Sequence, residues 1–135
     1  QEIKDFVDQN NLNQNITFKY NIDNNYLIEL YKNSKLYIFT SYCEVFGLTS
    51  LEAMSQGCNV LLSNTSALKE INANSADYFD PDDINNISTK ILKNLYDSNH
   101  RRFRLENSKI HLKKFSWSNT VNQTLNIIEN TDLIN

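Results

Sequence analysis

Glycine and proline are scarce, with two glycines and one proline in 135 residues. So little glycine leaves no glycine-rich phosphate loop: neither G-x-x-x-x-G-K-[ST] nor G-x-G-x-x-G occurs. A single proline excludes a proline-rich linker. Two cysteines, Cys43 and Cys58, are too few for a disulfide framework and have no metal-like spacing with His100 or His111. No metal site and no cofactor are expected, and the thiols point to a reduced, cytoplasmic setting. No apolar run reaches the roughly 20 residues needed to span a bilayer, and the first residues show no charged-then-apolar export pattern. Positive charge is also short. Against 16 Asp and Glu stand 13 Lys and Arg, for a net charge of -3, which leaves no electrostatic footprint for nucleic acid. The one basic cluster, Arg101, Arg102 and Arg104 with Lys109, Lys113 and Lys114, reads as a solvated helix face.

What is present is an alternation of two apolar periods, with 40% of residues hydrophobic, enough for one core and one domain over residues 1–135. Ile3, Phe6 and Val7 have helical spacing, Asn15 to Tyr20 alternates like a strand, and Leu27, Leu30 and Tyr31 return to a helix. Leu36–Thr40, Asn59–Ser63 and Ala76–Asp80 read as buried strands. Helices are expected over Leu48–Gln56, closed by a left-handed Gly57, and over Ser66–Asn72. A helix starting at Pro81-Asp82-Asp83 carries Ile84, Ile87, Ile91, Leu92 and Leu95, and a second runs to about Lys114. After a break at Ser116-Trp117-Ser118, Val121, Leu125 and Ile128 form the stripe of a last helix. Strands alternating with helices predict an α/β fold, a Rossmann-like parallel sheet with flanking helices.

Both glycines fall in one stretch, CEVFGLTSLEAMSQG, from Cys43 to Gly57, which also holds Glu44 and Glu52. It joins a strand to a helix, and ligands of parallel sheets bind where such loops meet. The helix start near Leu48 offers unpaired N–H groups suited to a phosphate or pyrophosphate. Gly47 lets backbone approach a ligand, and the two acids offer acceptors for hydroxyls. Hydroxyls beside pyrophosphate describe a nucleotide sugar. On the residues alone a second reading stays open: Thr49-Ser-Leu-Glu52 fits a capping box, with Glu44 a solvated loop acid. No nucleophile elbow is seen, and Cys43 has no evident base.

The stretch resembles the C-terminal domain of retaining, family 4 glycosyltransferases of GT-B fold. Glu44-x7-Glu52 matches the E-x7-E motif in its usual setting, here Ser41, Glu44-Val-Phe46-Gly47-Leu48 and Leu51-Glu52-Ala53-Met54-Ser-Gln-Gly57. The likeness continues through Asn59-Val60, Leu68-Lys-Glu70-Ile71, Tyr78-Phe79-Asp80-Pro81 with Asp83, and Phe115-Ser116-Trp117. Val45, Thr49 and Asn59 depart from the usual Gly, Pro and Pro. The resemblance implies that Glu52 accepts from the ribose hydroxyls of the nucleotide. Glu44, the residue at the catalytic position, would contact the donor sugar, while the backbone of Phe46, Gly47, Leu48 and Thr49 holds sugar and pyrophosphate oxygens. Transfer would be metal-independent, with retention, from a nucleoside-diphosphate sugar to a glycan or lipid-linked acceptor in polysaccharide biosynthesis.

The family's acceptor domain and its first two donor-domain strands have no counterpart here. The expectation is therefore an N-terminally truncated C-terminal domain of a GT-B fold, beginning at Gln1 and inactive alone. The intact enzyme is expected in the cytoplasm or at the inner face of the membrane, with peripheral membrane contact and no nucleic acid partner. A binding module without turnover and a sugar-nucleotide epimerase of the same architecture are the alternative readings. The family's strand order further predicts that Leu36–Thr40, Asn59–Ser63 and Tyr78–Asp80 form a contiguous parallel set, with Ile16–Tyr20 unpaired to Leu36–Thr40.

Overall fold

A computed structural model describes residues 2–130. The elements are α1 (Glu2–Gln9), α2 (Asn24–Asn33), β1 (Tyr37–Phe39), α3 (Leu48–Ser55), β2 (Val60–Ser63), α4 (Ser66–Asn72), β3 (Asp77–Phe79), α5 (Ile84–Tyr96), α6 (Ser98–Leu112) and α7 (Trp117–Asn130). The three strands form one parallel sheet in the order β1-β2-β3, with Tyr37 opposite Val60 and Leu61 opposite Asp77. This is the contiguous α/β set predicted from the sequence.

The central strand explains itself. Val60, Leu61, Leu62 and Ser63 are all buried, as a parallel strand covered on both faces must be. Tyr31 from α2 and Leu51, Ala53 and Met54 from α3 pack with Val60, Leu62, Leu68 and Ala76 in the core. Helix starts follow local chemistry. Asp23, Asp83 and Asp97 each accept a hydrogen bond from the backbone N–H three residues on, capping α2, α5 and α6. The helix expected from Pro81 thus begins at Ile84, with Asp83 as its cap. At the other end of α3, Gly57 (φ 80°) donates to Met54 O at 2.9 Å and Cys58 N–H to Ala53 O at 3.1 Å. That pair of bonds is a Schellman closure, as the position of Gly57 predicts.

Two expectations are corrected. The segment 16–20 is not a strand. Among the described residues no strand lies beside it, and without a ladder partner an alternating segment gains nothing from β structure. Its aromatic rings instead sit under the Lys4 ammonium, 5.7 Å from Phe18 and 5.1 Å from Tyr20. The break before α7 lies ahead of Trp117, which heads the helix. The apolar stripe of α7 is exposed, with no residue of the helix buried.

Candidate functional site

The loop from Thr40 to Gly47 leaves the carboxyl end of β1 and is held from several sides. Ser63 at the end of β2 donates its hydroxyl to Ser41 O. Ser41 Oγ donates to Cys43 O at 2.8 Å, and Tyr42 Oη donates to Asp82 Oδ1 at 3.0 Å. The loop ends at Gly47, the N-cap of α3, in the left-handed region at φ 77°. A side chain there would place Cβ 2.5 Å from Leu68 Cδ2. The glycine is therefore required by the turn and by the core beneath it, which is a different reason from the approach of a ligand.

Helix α3 has no side-chain cap at its start: Ser50 N–H donates to Gly47 O at 3.0 Å, which leaves the N–H groups of Leu48 and Thr49 as those open to a ligand. Behind them, buried Ser50 Oγ lies 2.7 Å from Gly47 O and 2.8 Å from Asn72 Oδ1, which ties the helix start to α4. With Gly47 as N-cap, Thr49 is the second helical residue and cannot cap. The capping-box reading of Thr49 and Glu52 is thereby corrected, since the box needs its hydroxyl residue outside the helix.

Glu44 is half-buried in the loop, its Oε1 accepting from Val45 N–H at 3.1 Å. Glu52 is exposed, and it lines a recess of about 260 Å³ between α2 and α3 with Leu27, Ile28, Tyr31 and Gln56. Phe46 and Leu48 turn their side chains to another side, into a recess of about 280 Å³ with Phe115 and Trp117. The rings of Phe46 and Phe115 meet edge to face at 6.3 Å. The predicted residues are thus gathered around one helix start, but no described recess is lined by both acids.

At the helix start lies Tyr37, which the sequence reading left inside an apolar strand. Its hydroxyl donates to Thr49 Oγ1 at 2.9 Å. Burial raises the phenol pKa most, the Thr49 bond opposes it, and the negative charges of Glu52 and Glu44 raise it further. Both carboxylates are therefore felt at one hydroxyl. Tyr31, edge to face with Tyr37 at 5.5 Å, is pushed up to about 12 by burial, Tyr37 and Glu52. Only the position of Tyr37 at the head of β1, a half-exposed strand that leads into the loop before α3, could have marked it. Cys58 is buried with its thiol raised to about 11, chiefly by desolvation, which disfavours the thiolate a nucleophile needs. Among the described residues, no three His, Cys, Asp or Glu side chains gather as a metal site, and no helix is long and apolar enough to cross a membrane.

Residues 1–111 match the family described as glycosyl transferases group 1. The O-antigen chain mannosyltransferase B of Escherichia coli is 37% identical over 97 residues, which is 72% of this chain and 26% of that protein. Serotype-specific mannosyltransferase WbdA of Escherichia coli is 38% identical over 94 residues, 70% of this chain and 12% of its own length. The solved structure of sucrose-phosphate synthase from Thermosynechococcus elongatus superposes with a TM-score of 0.82 at 27% identity, covering 94% of this chain and 33% of that one. The chain thus spans a third or less of the length of these relatives.

Proposed function

Because the chain belongs to the glycosyl transferases of group 1, with the sheet and helices of a GT-B C-terminal domain, we propose that it is the part of a glycosyltransferase that binds a nucleoside-diphosphate sugar. The observation that carries this reading is the uncapped start of α3, with Glu44 on the loop before it and Glu52 just over one turn into it. The backbone of Phe46, Gly47, Leu48 and Thr49 would take sugar and pyrophosphate oxygens. Charge that develops on a leaving diphosphate is stabilised by preorganised N–H donors and the positive end of the helix. Glu52 would accept from ribose hydroxyls, and Glu44 would face the donor sugar.

The reaction in this reading is metal-independent transfer of a hexose, with retention, to a glycan or lipid-linked acceptor. The two mannosyltransferase relatives make a mannosyl donor the first to test. Since the chain spans a third or less of the relatives' length, residues 1–135 are proposed as a partial donor domain. By itself the chain is expected to bind nucleoside diphosphates weakly and to transfer no sugar. Submicromolar affinity by calorimetry would contradict that.

The decisive experiment separates the two acids in the intact enzyme. A hydrogen bond to a charged acceptor contributes about 1.5–3 kcal/mol, so Glu52→Gln is expected to weaken nucleoside diphosphate binding by roughly tenfold or more. Glu44→Gln should spare the free nucleoside diphosphate and lower turnover, since its contact matters where the glycosyl group gains positive charge. Unchanged nucleotide affinity in Glu52→Gln removes the ribose role. An equal loss of nucleotide affinity in both variants removes the division of labour, and binding with no turnover by the intact enzyme favours a binding module.

A further inference from the structure

We propose that Tyr37 is a positioning residue for the donor diphosphate, acting through Thr49: its hydroxyl bond to Thr49 Oγ1 turns the threonine proton outward as an additional donor at the start of α3. This rests on the diphosphate site proposed above and adds residues that act upon it. A threonine hydroxyl has one proton to give and two lone pairs to receive with. Tyr37 fills one lone pair from the sheet side, at 2.9 Å. Among the described residues the Thr49 hydroxyl makes no other hydrogen bond, so its own proton is uncommitted. Thr49 is half-buried and is the second residue of α3, beside the N–H groups that the diphosphate would meet. A hydroxyl held with its proton toward an anion gives a charge-assisted bond without first giving up rotational freedom.

The direction of the tyrosine bond follows from its surroundings. The phenol is packed beneath α3, its ring edge to face with Tyr31 at 5.5 Å and stacked on Phe39 at 6.2 Å. Among the described residues Tyr37 Oη has no hydrogen-bond partner but Thr49, so the phenol proton has no other acceptor there, whereas Thr49 stands at the helix start and can turn its own proton to a ligand or to water. Tyr37 therefore remains a donor, and Thr49 is left as the group that gives its proton to the ligand. Phenylalanine at position 37 would keep the ring packing and free Thr49 to rotate.

The test is titration of the ¹⁵N-labelled chain at millimolar concentrations, following the amides of Leu48, Thr49 and Ser50. The probes are guanosine diphosphate, inorganic pyrophosphate and guanosine. Tyr37→Phe is expected to weaken both diphosphates by about three- to tenfold, the size of one oriented hydrogen bond to an anion, and to leave guanosine unchanged. Thr49→Val should give a similar loss, and the double variant no more than the single ones, because both remove the same donor. Thr49→Ser, which keeps a hydroxyl, should retain diphosphate affinity while Tyr37 is present and lose it with Tyr37→Phe. A purely structural bond between β1 and α3 predicts instead a lower melting temperature, with guanosine and diphosphate affected alike. Losses that add in the double variant, or diphosphate affinity unchanged in a folded Tyr37→Phe, overturn the inference alone. No binding of either diphosphate by the wild-type chain overturns it together with the site on which it rests.

Discussion

Asp77→Ala is expected to lower the unfolding free energy by about 3–5 kcal/mol, the range found when one partner of a buried ion pair is removed. The Asp77 side chain, only 4% exposed at the start of β3, lies between two helices. Its Oδ2 is 2.5 Å from His100 Nε2 and accepts from Asn94 Nδ2 at 2.9 Å, while Oδ1 accepts from Arg104 at 2.5 Å. Arg104 also donates to Asn74 O at 2.7 Å. One carboxylate thereby joins the sheet to α5 and α6, and its loss strands a half-buried guanidinium. Urea denaturation measures the effect, and a loss under about 1 kcal/mol would mean that water replaces the carboxylate, as at an exposed pair.

The same group predicts an acid limit. Burial by itself would raise the Asp77 pKa, but the bonds from His100 and Asn94 and the charge of Arg104 outweigh it and hold the carboxyl below its ordinary value. A carboxyl whose pKa is lower folded than unfolded stabilises the fold fully above the unfolded value, about 3.9. That contribution is lost as pH falls through the lower folded value. The stability gap between the wild type and Asp77→Asn should therefore be widest near neutrality and shrink below about pH 4. A gap independent of pH from 7 to 3 would contradict the assignment.

Gly47→Ala is expected to cost about 2–4 kcal/mol, and Gly57→Ala only about 1–2 kcal/mol, although the two glycines share nearly the same backbone angle. At φ 77° and 80° both substitutions carry the strain of a left-handed L-residue. The difference lies in what the new methyl meets. At 47 it would stand 2.5 Å from a methyl of Leu68, a residue with no exposed surface, whereas nothing lies within 4 Å at 57. Leu68 cannot move without disturbing the packed core. Thermal denaturation of the two variants checks the order, and Leu68→Ala in the Gly47→Ala background should cost less than the two changes added, since it removes the clash. Equal losses at 47 and 57 would show that the core yields.

Features that depend on neighbours in the chain could be read from the sequence. The Schellman closure at Gly57 requires a residue tolerant of positive φ just past a helical run, and Gly57 supplies it. The buried run ending in Ser63 becomes the central strand because its side chains are apolar on both faces. Glu44 and Glu52 fall where a strand-to-helix loop and the following helix put them, so the candidate site was visible as a motif.

Properties that need a partner from elsewhere in the chain were settled only by the tertiary structure. Residues 16–20 have the alternation of a strand, yet period alone supplies no neighbour to bond with. The stripe of α7 predicts a helix correctly, but it cannot say what, if anything, covers that face. Arg104 belongs to a basic run that reads as solvated, and the fold turns it inward to Asp77, 27 residues earlier. Tyr37 and Thr49 are 12 residues apart, at positions where each looks like an ordinary member of its own element. Local geometry and apolar period, set within a few residues, were therefore determined by the sequence by itself. The pairing of polar groups across elements was not, because it depends on which faces the packed core brings within hydrogen-bond reach.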